Sequence, residues 1–275
     1  MKKIVLIAAL LLMICGCSLG QSYTVLDKPK LLVQYELTYK EDSTHLDYVN
    51  HENQMLLVGN TVSSYQSFNR YRLMSDYRKA IEEGNFDAWR LGGGITPESY
   101  GARYSYVIFK NYPKGKMTVT ENVLTVGSFV YEEELNSFDW QILDDTMLVD
   151  GYRSQKAVCS FGGRTWEAWF ADELPFDEGP WKFSGLPGLI LKVADTRGHY
   201  SFEMISIEVP DENMKIEWED KNRMKTTKKG FFKAEDLGRS TIQDNMEGTG
   251  NSLEMAKAAG AIAASRNNPI ELDRK

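Results

Sequence analysis

Three tryptophans close together in the chain are the residues best suited to bind a ligand. Trp166, Trp169 and Trp181 fall within sixteen residues. Strand alternation over residues 164–170 would place Trp166 on one face and Trp169 on the other. One face would belong to the core, and the other could form an aromatic surface for a peptide, a sugar or a lipid. A simpler interpretation, tryptophans in the core beneath a polar loop, stays open.

The loop after this strand carries four carboxylates, Asp172, Glu173, Asp177 and Glu178. Two carboxylates that face each other across a cleft can hydrolyse a glycosidic bond. Adjacency in the sequence does not supply that geometry. A glycan or peptide hydrolase is therefore the alternative, and the sequence favours a non-catalytic binding or structural module for an envelope partner or an apolar ligand.

Metal-binding and cofactor-binding motifs are missing from the sequence. His45, His51 and His199 are scattered and lack a metal-ligand spacing. Cys159 lies on an apolar predicted strand, which favours a buried structural thiol over a nucleophile. The glycine run at residues 92–94 lacks the Lys-Ser/Thr of a phosphate loop. We predict no catalytic residue, no metal ligand and no cofactor.

The elements that would position these residues centre on one apolar motif, formed by Gly185, Leu186, Pro187, Gly188, Leu189 and Ile190. Residues 186–189 fit a type II turn, in which Gly188 would take a positive φ. Residues 189–193 and 200–209 then form a hairpin, and a phase switch in the second strand suggests a bulge or burial on both faces. Because the motif contains no acid, base or nucleophile, we predict that it is structural.

The rest of the chain alternates short apolar runs with turns. Strands are predicted at residues 31–39, 55–58, 61–68, 104–111, 116–121, 129–135, 140–143, 147–149, 155–161 and 164–171, and helices at 71–83, 231–237 and 252–265. This pattern predicts an α+β fold that is mostly antiparallel β: a curved sheet of short strands with a few helices packed on its concave side. Residues 41–53 are expected as a polar connection.

These motifs resemble the GLPGLI family of exported Bacteroidetes proteins. The resemblance extends over roughly residues 31–272 and includes Gly163-Arg164, Ala168-Trp169 and the C-terminal run from Asn268 to Leu272. It implies a single domain over residues 31–272, after a loose leader at 21–30, and it implies no established activity. Relatives often carry Cys where this chain has Ser154, which puts a local disulfide or two-thiol metal site in doubt here.

The N-terminus has the features of a secretory signal over residues 1–20. Lys2 and Lys3 precede an apolar run at residues 4–14 that is too short to span a bilayer. Cleavage after residue 20 would leave a soluble protein, whereas cleavage before Cys17 would remove residues 1–16 and leave a lipidated N-terminus. Both alternatives predict export to the periplasm or the outer membrane, with membrane attachment only through Cys17.

The charge balance argues against nucleic-acid binding. The net charge is −7 and the pI is about 5.2, so the protein would repel polyanions. The basic run at residues 221–229 is expected to be a solvated surface. The sequence does not determine the ligand, the partner or the oligomeric state.

Overall fold

The computed structural model describes residues 22–91, 100–135, 137–248 and 266–274. Its elements are β1 (Ser22–Asp27), β2 (Leu31–Tyr39), β3 (Asn50–Val58), β4 (Ser63–Ser67), α1 (Phe68–Glu82), α2 (Phe86–Leu91), β5 (Val107–Lys110), β6 (Lys116–Val123), β7 (Gly127–Glu134), β8 (Gln141–Val149), β9 (Tyr152–Phe161), β10 (Arg164–Ala171), β11 (Leu189–Asp195), β12 (Tyr200–Glu208), β13 (Ile216–Asp220), β14 (Met224–Lys225) and α3 (Lys228–Gly248). The predicted signal segment with Cys17, the glycine run at 92–94 and the predicted helix at 252–265 lie outside the described residues.

Twelve of these strands form one sheet, in the order β14-β7-β6-β5-β4-β3-β2-β12-β11-β10-β9-β8. It consists of two meanders, β3 to β7 and β8 to β12, and the central strand β2 pairs with β3 on one side and β12 on the other. Strand pairing is antiparallel except between β14 and β7. The prediction of a mostly antiparallel α+β fold is confirmed.

The sheet must be strongly curved, because β7 and β8 lie near opposite ends of it and yet follow each other in the chain. Ten strand spacings of about 4.8 Å would separate them by roughly 48 Å in a flat sheet. The chain from Glu134 to Gln141 can span at most about 25 Å. The short connection therefore brings the two ends of the sheet towards each other, and the sheet encloses an inner face.

The larger core lies on this inner face. Alternate residues of β2 point into it, namely Val33, Tyr35, Leu37 and Tyr39, as their spacing predicts. Much of the remaining space is filled by the inner loop, which we define as residues 172–188, between β10 and β11. Its side chains Trp181, Phe183 and Leu186 are buried in the same core. Helix α3 also packs here, because Phe231 contacts Phe129 and Tyr131 of β7.

The outer face carries a second, smaller core. Leu32, Met55 and Leu57 of the sheet pack there against Phe68 and Tyr71 of α1. A two-stranded sheet of β1 and β13 covers the same face. Helices therefore pack on both faces of the sheet: α3 lies against the larger inner core and α1 against the smaller outer core.

Helix α1 has both of its ends determined by local sequence. Ser67 Oγ accepts a hydrogen bond from the backbone N–H of Arg70 at 3.1 Å, which caps the N-terminus. Gly84, with φ of +68°, follows the C-cap residue Glu83. The predicted helix at 71–83 is confirmed and begins three residues earlier.

Three other expectations differ from the structure. The expected loose leader contains β1, which is ordered by pairing with β13 almost two hundred residues away. The expected polar connection at 41–53 ends early, because β3 already begins at Asn50 and pairs along the whole of β2. The two strands expected at 140–143 and 147–149 are one strand, β8, with an irregularity where the register with β9 shifts between Ile142 and Thr146. Pairing with another strand decides each case, and the composition of the segment itself does not predict that pairing.

Two predicted features of the sheet are confirmed. The hairpin of β11 and β12 forms, and the phase switch in β12 is a bulge between Met204 and Ser206. Among the described residues, no helix is both long and apolar enough to cross a membrane.

Candidate ligand-binding cavity

The inner loop and the start of β11 are held by contacts from two other strands of the sheet, β2 and β5. The hydroxyl of Tyr35 on β2 donates to the Ile190 carbonyl at 2.8 Å. Lys110 on β5 donates to the carbonyls of Gly179 and Phe183 at 2.8 and 2.6 Å, and its Nζ lies 3.2 Å from the Glu178 carboxylate. Because β3 and β4 lie between β2 and β5 in the sheet, these contacts hold the loop and the start of β11 against several strands of the inner face.

The apolar motif at the end of this loop is buried, but its turn differs from the prediction. Leu186, Leu189 and Ile190 are at most 1% exposed. Gly185 has the positive φ, +88°, and Gly188 does not. The prediction of a positive φ at Gly188 is therefore wrong. Gly188 is required for another reason: a Cβ at this position would lie 2.2 Å from the Ala171 carbonyl oxygen.

The three candidate tryptophans do not form one exposed surface. Trp166 is 0% exposed and Trp181 is 3% exposed, and their rings pack 6.2 Å apart in the inner core. Trp169 lies on the opposite face of β10, half-buried, with the Lys156 ammonium 5.7 Å from its ring centre. Trp166 and Trp169 lie on opposite faces of the strand, as predicted. The positions of Trp166 and Trp181 fit the simpler interpretation, in which tryptophans belong to the core.

Three of the four loop carboxylates are exposed at the surface, and the fourth, Glu178, helps to hold the loop in place. Asp172, Glu173 and Asp177 are exposed. Glu178 accepts a hydrogen bond from Ser63 Oγ at 2.6 Å and pairs with Lys110. Asp177 and Glu178 line a polar opening of about 360 Å³ at the surface. The Glu178 carboxylate is engaged in holding the loop, so this opening offers no free pair of facing carboxylates.

A cavity of about 210 Å³ lies between the inner face of the sheet, helix α3 and the C-terminal segment at residues 266–274. We call it the tyrosine cavity. Its aromatic lining consists of Tyr104, Tyr106, Tyr131, Trp181, Tyr200, Phe231 and Phe232. Charged side chains of both signs also line it, among them Glu121, Lys182, Glu235 and Arg274. Aromatic faces beside convergent polar groups are typical of ligand-binding sites.

A cluster of two lysines and two glutamates lies beside the tyrosine cavity, and two of its members, Lys182 and Glu271, line it. Lys182 of the inner loop pairs with Glu133 of β7 and, at 2.6 Å, with Glu271 of the C-terminal segment. Lys228 of α3 pairs with the same two carboxylates. Burial acts to lower the pKa of Lys182, but the carboxylates of Glu271 and Glu133 raise it above its ordinary value. The cluster therefore ties four segments of the chain together around charged groups.

Glu121 on β6 is the most strongly perturbed carboxyl group in the tyrosine cavity. Burial and the nearby Glu235 carboxylate raise its pKa to about 8, against the opposing effects of Lys182 and Arg274. Burial also raises the pKa of Glu235, against the effect of Arg274 and Arg239. At neutral pH Glu121 is mostly a neutral carboxylic acid, which can donate a hydrogen bond to a bound molecule.

Trp181 has an unusual backbone conformation beside the cavity. Its φ is +51°, a region that non-glycine residues rarely occupy. The turn is closed by a hydrogen bond from the Phe183 N–H to the Pro180 carbonyl at 3.1 Å. This geometry directs both Trp181 and Lys182 inward, since both are buried. Strained residues of this kind collect at functional sites, where the surrounding packing holds them in place.

Sequence reasoning missed Glu121 and Glu133, although the sequence contains a signal for them. Met117, Val119 and Val123 of β6 face the inner core, and Glu121 occupies the same alternation. On β7, Phe129 and Tyr131 face inward, and Glu133 follows in the same phase. A charged residue at an inward-facing strand position is uncommon unless it is paired or functional. That pattern could have identified both residues.

Cys159 is a buried structural thiol, as predicted. Burial, with a smaller effect of Asp139, raises the pKa of its thiol to about 12. Across the ranges that the structure describes, no group of three or more His, Cys, Asp or Glu side chains is arranged to hold a metal ion. The lack of a metal stays a prediction, and elemental analysis of natively purified protein would test it.

Residues 161–192 match the model of a family described as a protein of unknown function, Porph_ging. The matched region begins at the end of β9 and includes β10, the inner loop and the start of β11. No curated protein matches the chain.

Several solved structures resemble the fold. The structure of PNGF-II in the C2 space group is 14% identical, with a TM-score of 0.50, and the match covers 77% of this chain and 34% of that one. An uncharacterized conserved protein from Thermus thermophilus is 8% identical, with a TM-score of 0.33, and the match covers 72% of this chain and 91% of that one. The chain spans about a third of PNGF-II. At this identity the likeness to PNGF-II concerns the fold alone.

The perturbed pKa of Glu121 predicts how stability depends on pH. Its folded-state pKa of about 8 exceeds the ordinary value of 4.5, so the folded chain binds more protons than the unfolded chain between these pH values. The contribution of Glu121 to stability therefore falls as the pH rises through this range. Glu121→Gln should melt like the wild type at pH 4.5 and at least about 4 °C higher at pH 9.

Calorimetric melting from pH 4.5 to pH 9 measures this difference. Glu132→Gln is the matched control, because Glu132 is exposed on the neighbouring strand β7. Its melting curve should follow that of the wild type within about 1 °C at every pH. Parallel curves for Glu121→Gln and the wild type would show that Glu121 ionises normally.

Proposed function

We propose that the protein is an exported cell-envelope module that binds a small ligand in the tyrosine cavity and does not catalyse a reaction. The observation that carries this proposal is the cavity of about 210 Å³, which combines aromatic faces with convergent charged groups. The cavity is smaller than the roughly 300–1,000 Å³ of typical ligand sites. It therefore suits a compact ligand, or one end of a larger one.

The lining refines the expected chemistry of the ligand. The sequence suggested an apolar ligand, but Glu121, Lys182 and Arg274 reach the same space as the aromatic rings. A ligand with a flat apolar face and polar groups at its edge would satisfy both kinds of group. The proposal includes no nucleic-acid partner, since the net charge is −7.

We also propose that the chain is a GLPGLI family protein. The match at residues 161–192 includes the apolar motif at 185–190. Contacts between distant motifs support this proposal. Arg164 binds Asn268, and the Leu272 N–H donates to the Gly162 carbonyl at 2.6 Å, so the motif around Gly163 and the C-terminal motif form one structural unit.

Export is tested by the intact mass of the protein isolated from its native host. The charged residues Lys2 and Lys3 followed by a short apolar run predict that either residues 1–16 or residues 1–20 are removed. A diacylglycerol group on Cys17 would identify the lipoprotein, and an N-terminus at Gln21, free or cyclised, would identify the soluble form. A full-length cytoplasmic product would contradict the proposal.

Ligand binding is tested by capturing small molecules from the cell envelope on the immobilised mature protein, with identification by mass spectrometry. Tyr104→Leu should abolish capture, because Tyr104 lines the cavity and its ring packs against Tyr39 and Tyr106 at 5.2 and 5.1 Å. Tyr48→Leu is the matched control, since Tyr48 is 75% exposed and lies outside the cavity. Equal capture by folded Tyr104→Leu and the wild type would overturn the proposal.

A hydrolase is a second candidate, and one observation favours it. Glu121 and Glu235 line the same cavity, and burial raises the pKa of both, as in sites that use carboxyl groups as acid and base. The loop carboxylates at 172–178 do not support this alternative. Turnover of envelope glycans or peptides that is lost in Glu121→Gln, while binding is kept, would favour the hydrolase.

A further inference from the structure

A second cavity, of about 70 Å³, lies on the outer face of the sheet, between α1 and the small sheet of β1 and β13. We call it the arginine cavity. Its charged lining contains four basic and two acidic side chains: Arg70, Arg78, Lys215, Arg223, Glu217 and Glu219. Positive charge is therefore in excess in a confined space, on the opposite face of the sheet from the tyrosine cavity.

The two carboxylates are already engaged by other arginines. Arg78 donates to Glu217 at 2.7 Å, and Arg223 donates to Glu219 at 2.7 Å. Arg70 instead donates to the neutral amide oxygen of Gln66 at 3.3 Å, and it forms no ion pair among the described residues. A guanidinium has five N–H donors, so most of the donors of Arg70 remain available to a ligand.

Burial lowers the pKa of three basic groups in this region. The pKa of Arg70 is lowered by burial and by Arg223, against the effect of Glu219. The pKa of Arg223 is lowered by burial, although Glu219 opposes the change. Burial, together with Arg223 and Arg70, lowers the pKa of Lys221 despite its pairing with Glu219. The Glu219 carboxylate acts to raise the pKa of all three groups, and additional negative charge would stabilise their charged forms in the same way.

Aromatic rings hold two of the guanidinium groups in place. Arg78 lies over the Tyr23 ring at 4.7 Å, and Arg223 lies over the Trp218 ring at 4.9 Å. Such stacking limits the rotamers of long side chains and orients their donors before a ligand arrives. Ser64 and Gln66 add neutral polar groups to the same cavity.

We propose that the arginine cavity binds an oxyanion, such as a phosphoryl or sulfate group, through Arg70, Arg78 and Arg223. A planar guanidinium group can donate two parallel hydrogen bonds to two oxygens of such an anion. The small volume fits a single anionic group better than a whole organic molecule. The anion could be free, or it could be the headgroup of a lipid, and Tyr23 of this cavity follows Cys17 by only six residues.

Isothermal titration of the full exported chain with inorganic phosphate and with sulfate tests the proposal, at an ionic strength held constant with potassium chloride. We expect saturable binding and a raised Tm with at least one of these anions. Arg70→Gln should weaken binding at least about tenfold, because it removes a charged hydrogen-bond donor. Arg72→Gln is the matched control, since Arg72 is exposed on the same helix and does not line the cavity.

Arg223→Gln provides a second variant in case Arg70→Gln does not fold. Co-sedimentation with phosphatidylglycerol vesicles, compared with phosphatidylcholine vesicles, identifies the source of the anion. Binding of anionic vesicles that is lost in Arg70→Gln would indicate a lipid headgroup, and binding of phosphate or sulfate alone would indicate a free anion. No saturable binding of phosphate, sulfate or anionic vesicles, or equal binding by the wild type and both folded variants, would overturn the proposal.

Discussion

Gly188→Val is expected to destabilise the protein by at least about 3 kcal/mol, which lowers Tm by roughly 6–12 °C. The reason is a backbone contact. A Cβ at Gly188 would lie 2.2 Å from the Ala171 carbonyl oxygen and 2.8 Å from the Asp172 nitrogen. These atoms belong to the end of β10 and the start of the inner loop, and unlike a side chain they cannot rotate away. Thermal unfolding followed by circular dichroism measures the loss.

Gly198→Ala separates this close approach from the general cost of replacing a glycine. Gly198 has a positive φ of +66°, and a Cβ at this position would have no atom within 4 Å. Its replacement should cost only about 1–2 kcal/mol, for the left-handed conformation. Gly188→Ala should therefore lower Tm more than Gly198→Ala does. Equal losses would mean that the backbone around Ala171 moves to accept the new atom.

The same variant also tests whether the apolar motif is structural. Leu186, Leu189 and Ile190 are buried, so Pro187 is the one apolar side chain of the motif that is exposed to a partner. Ligand capture by Gly188→Val should therefore fall only in proportion to the folded fraction. A variant that melted like the wild type and captured nothing would show that the motif is a recognition loop.

Arg164→Met is expected to cost about 3–5 kcal/mol, the usual effect of breaking a buried ion pair. The side chains of Arg164 and Asp195 are both 0% exposed, and their charged atoms are 2.7 Å apart. Arg164 also donates to Asn268 Oδ1 at 2.7 Å and to the carbonyls of Pro269 and Ile270 at 2.7 and 2.9 Å. Its removal leaves the Asp195 charge and these acceptors buried without their donor. Urea unfolding measures the change.

Lys192→Met is the matched control, because it removes the cation of another ion pair between neighbouring strands, in this case β11 and β12. Lys192 and Glu203 are 3.0 Å apart, with side chains 32% and 54% exposed. Exposed pairs contribute about 0–1 kcal/mol, so this variant should stay close to the wild type. Arg164→Lys should be nearly as damaging as Arg164→Met. The compact ammonium group of lysine cannot donate to all of these acceptors at once, as the planar guanidinium group does. Equal stability of Arg164→Met and Lys192→Met would contradict a structural role for the buried pair.

Arg164 and Lys182 also hold the C-terminal segment against the sheet and the inner loop. Arg164 binds Asn268 and the two following carbonyls, and Lys182 binds Glu271. Tyr200 adds a hydrogen bond to the Asn268 carbonyl at 2.7 Å. The segment closes one side of the tyrosine cavity, so these contacts link stability of the fold to the shape of the proposed binding site.

The sequence by itself determined the class of fold and many of its local elements. Alternating apolar residues identified β2 correctly from Leu31 to Tyr39, and β10 from Arg164 to Ala171. The phase switch in β12 identified its bulge. These features depend on the periodicity of side chains and on local capping or turn chemistry, which the sequence contains in full.

The sequence did not reveal which strands pair over long distances. β1 was expected as a loose leader because its composition is polar, yet β13 pairs with it. β8 was expected as two strands because of its acidic centre, yet the register with β9 continues on both sides of the irregularity. The hydrogen bonds of β1 come from a partner almost two hundred residues away, and those of β8 come from the next strand, β9. In both cases the composition of the strand itself carries no record of the pairing.

Only the tertiary structure decided where the candidate sites lie. Curvature of the sheet encloses the inner loop, buries Trp166 and Trp181, and brings Glu121 close to Glu235 from a segment more than a hundred residues away. Their pKa values depend on this burial and proximity, and neither exists in the extended chain. The arginine cavity likewise requires α1 and β13 to pack on the same face of the sheet. The sequence shows which residues are charged, but their pKa values depend on the neighbours that folding brings close to them.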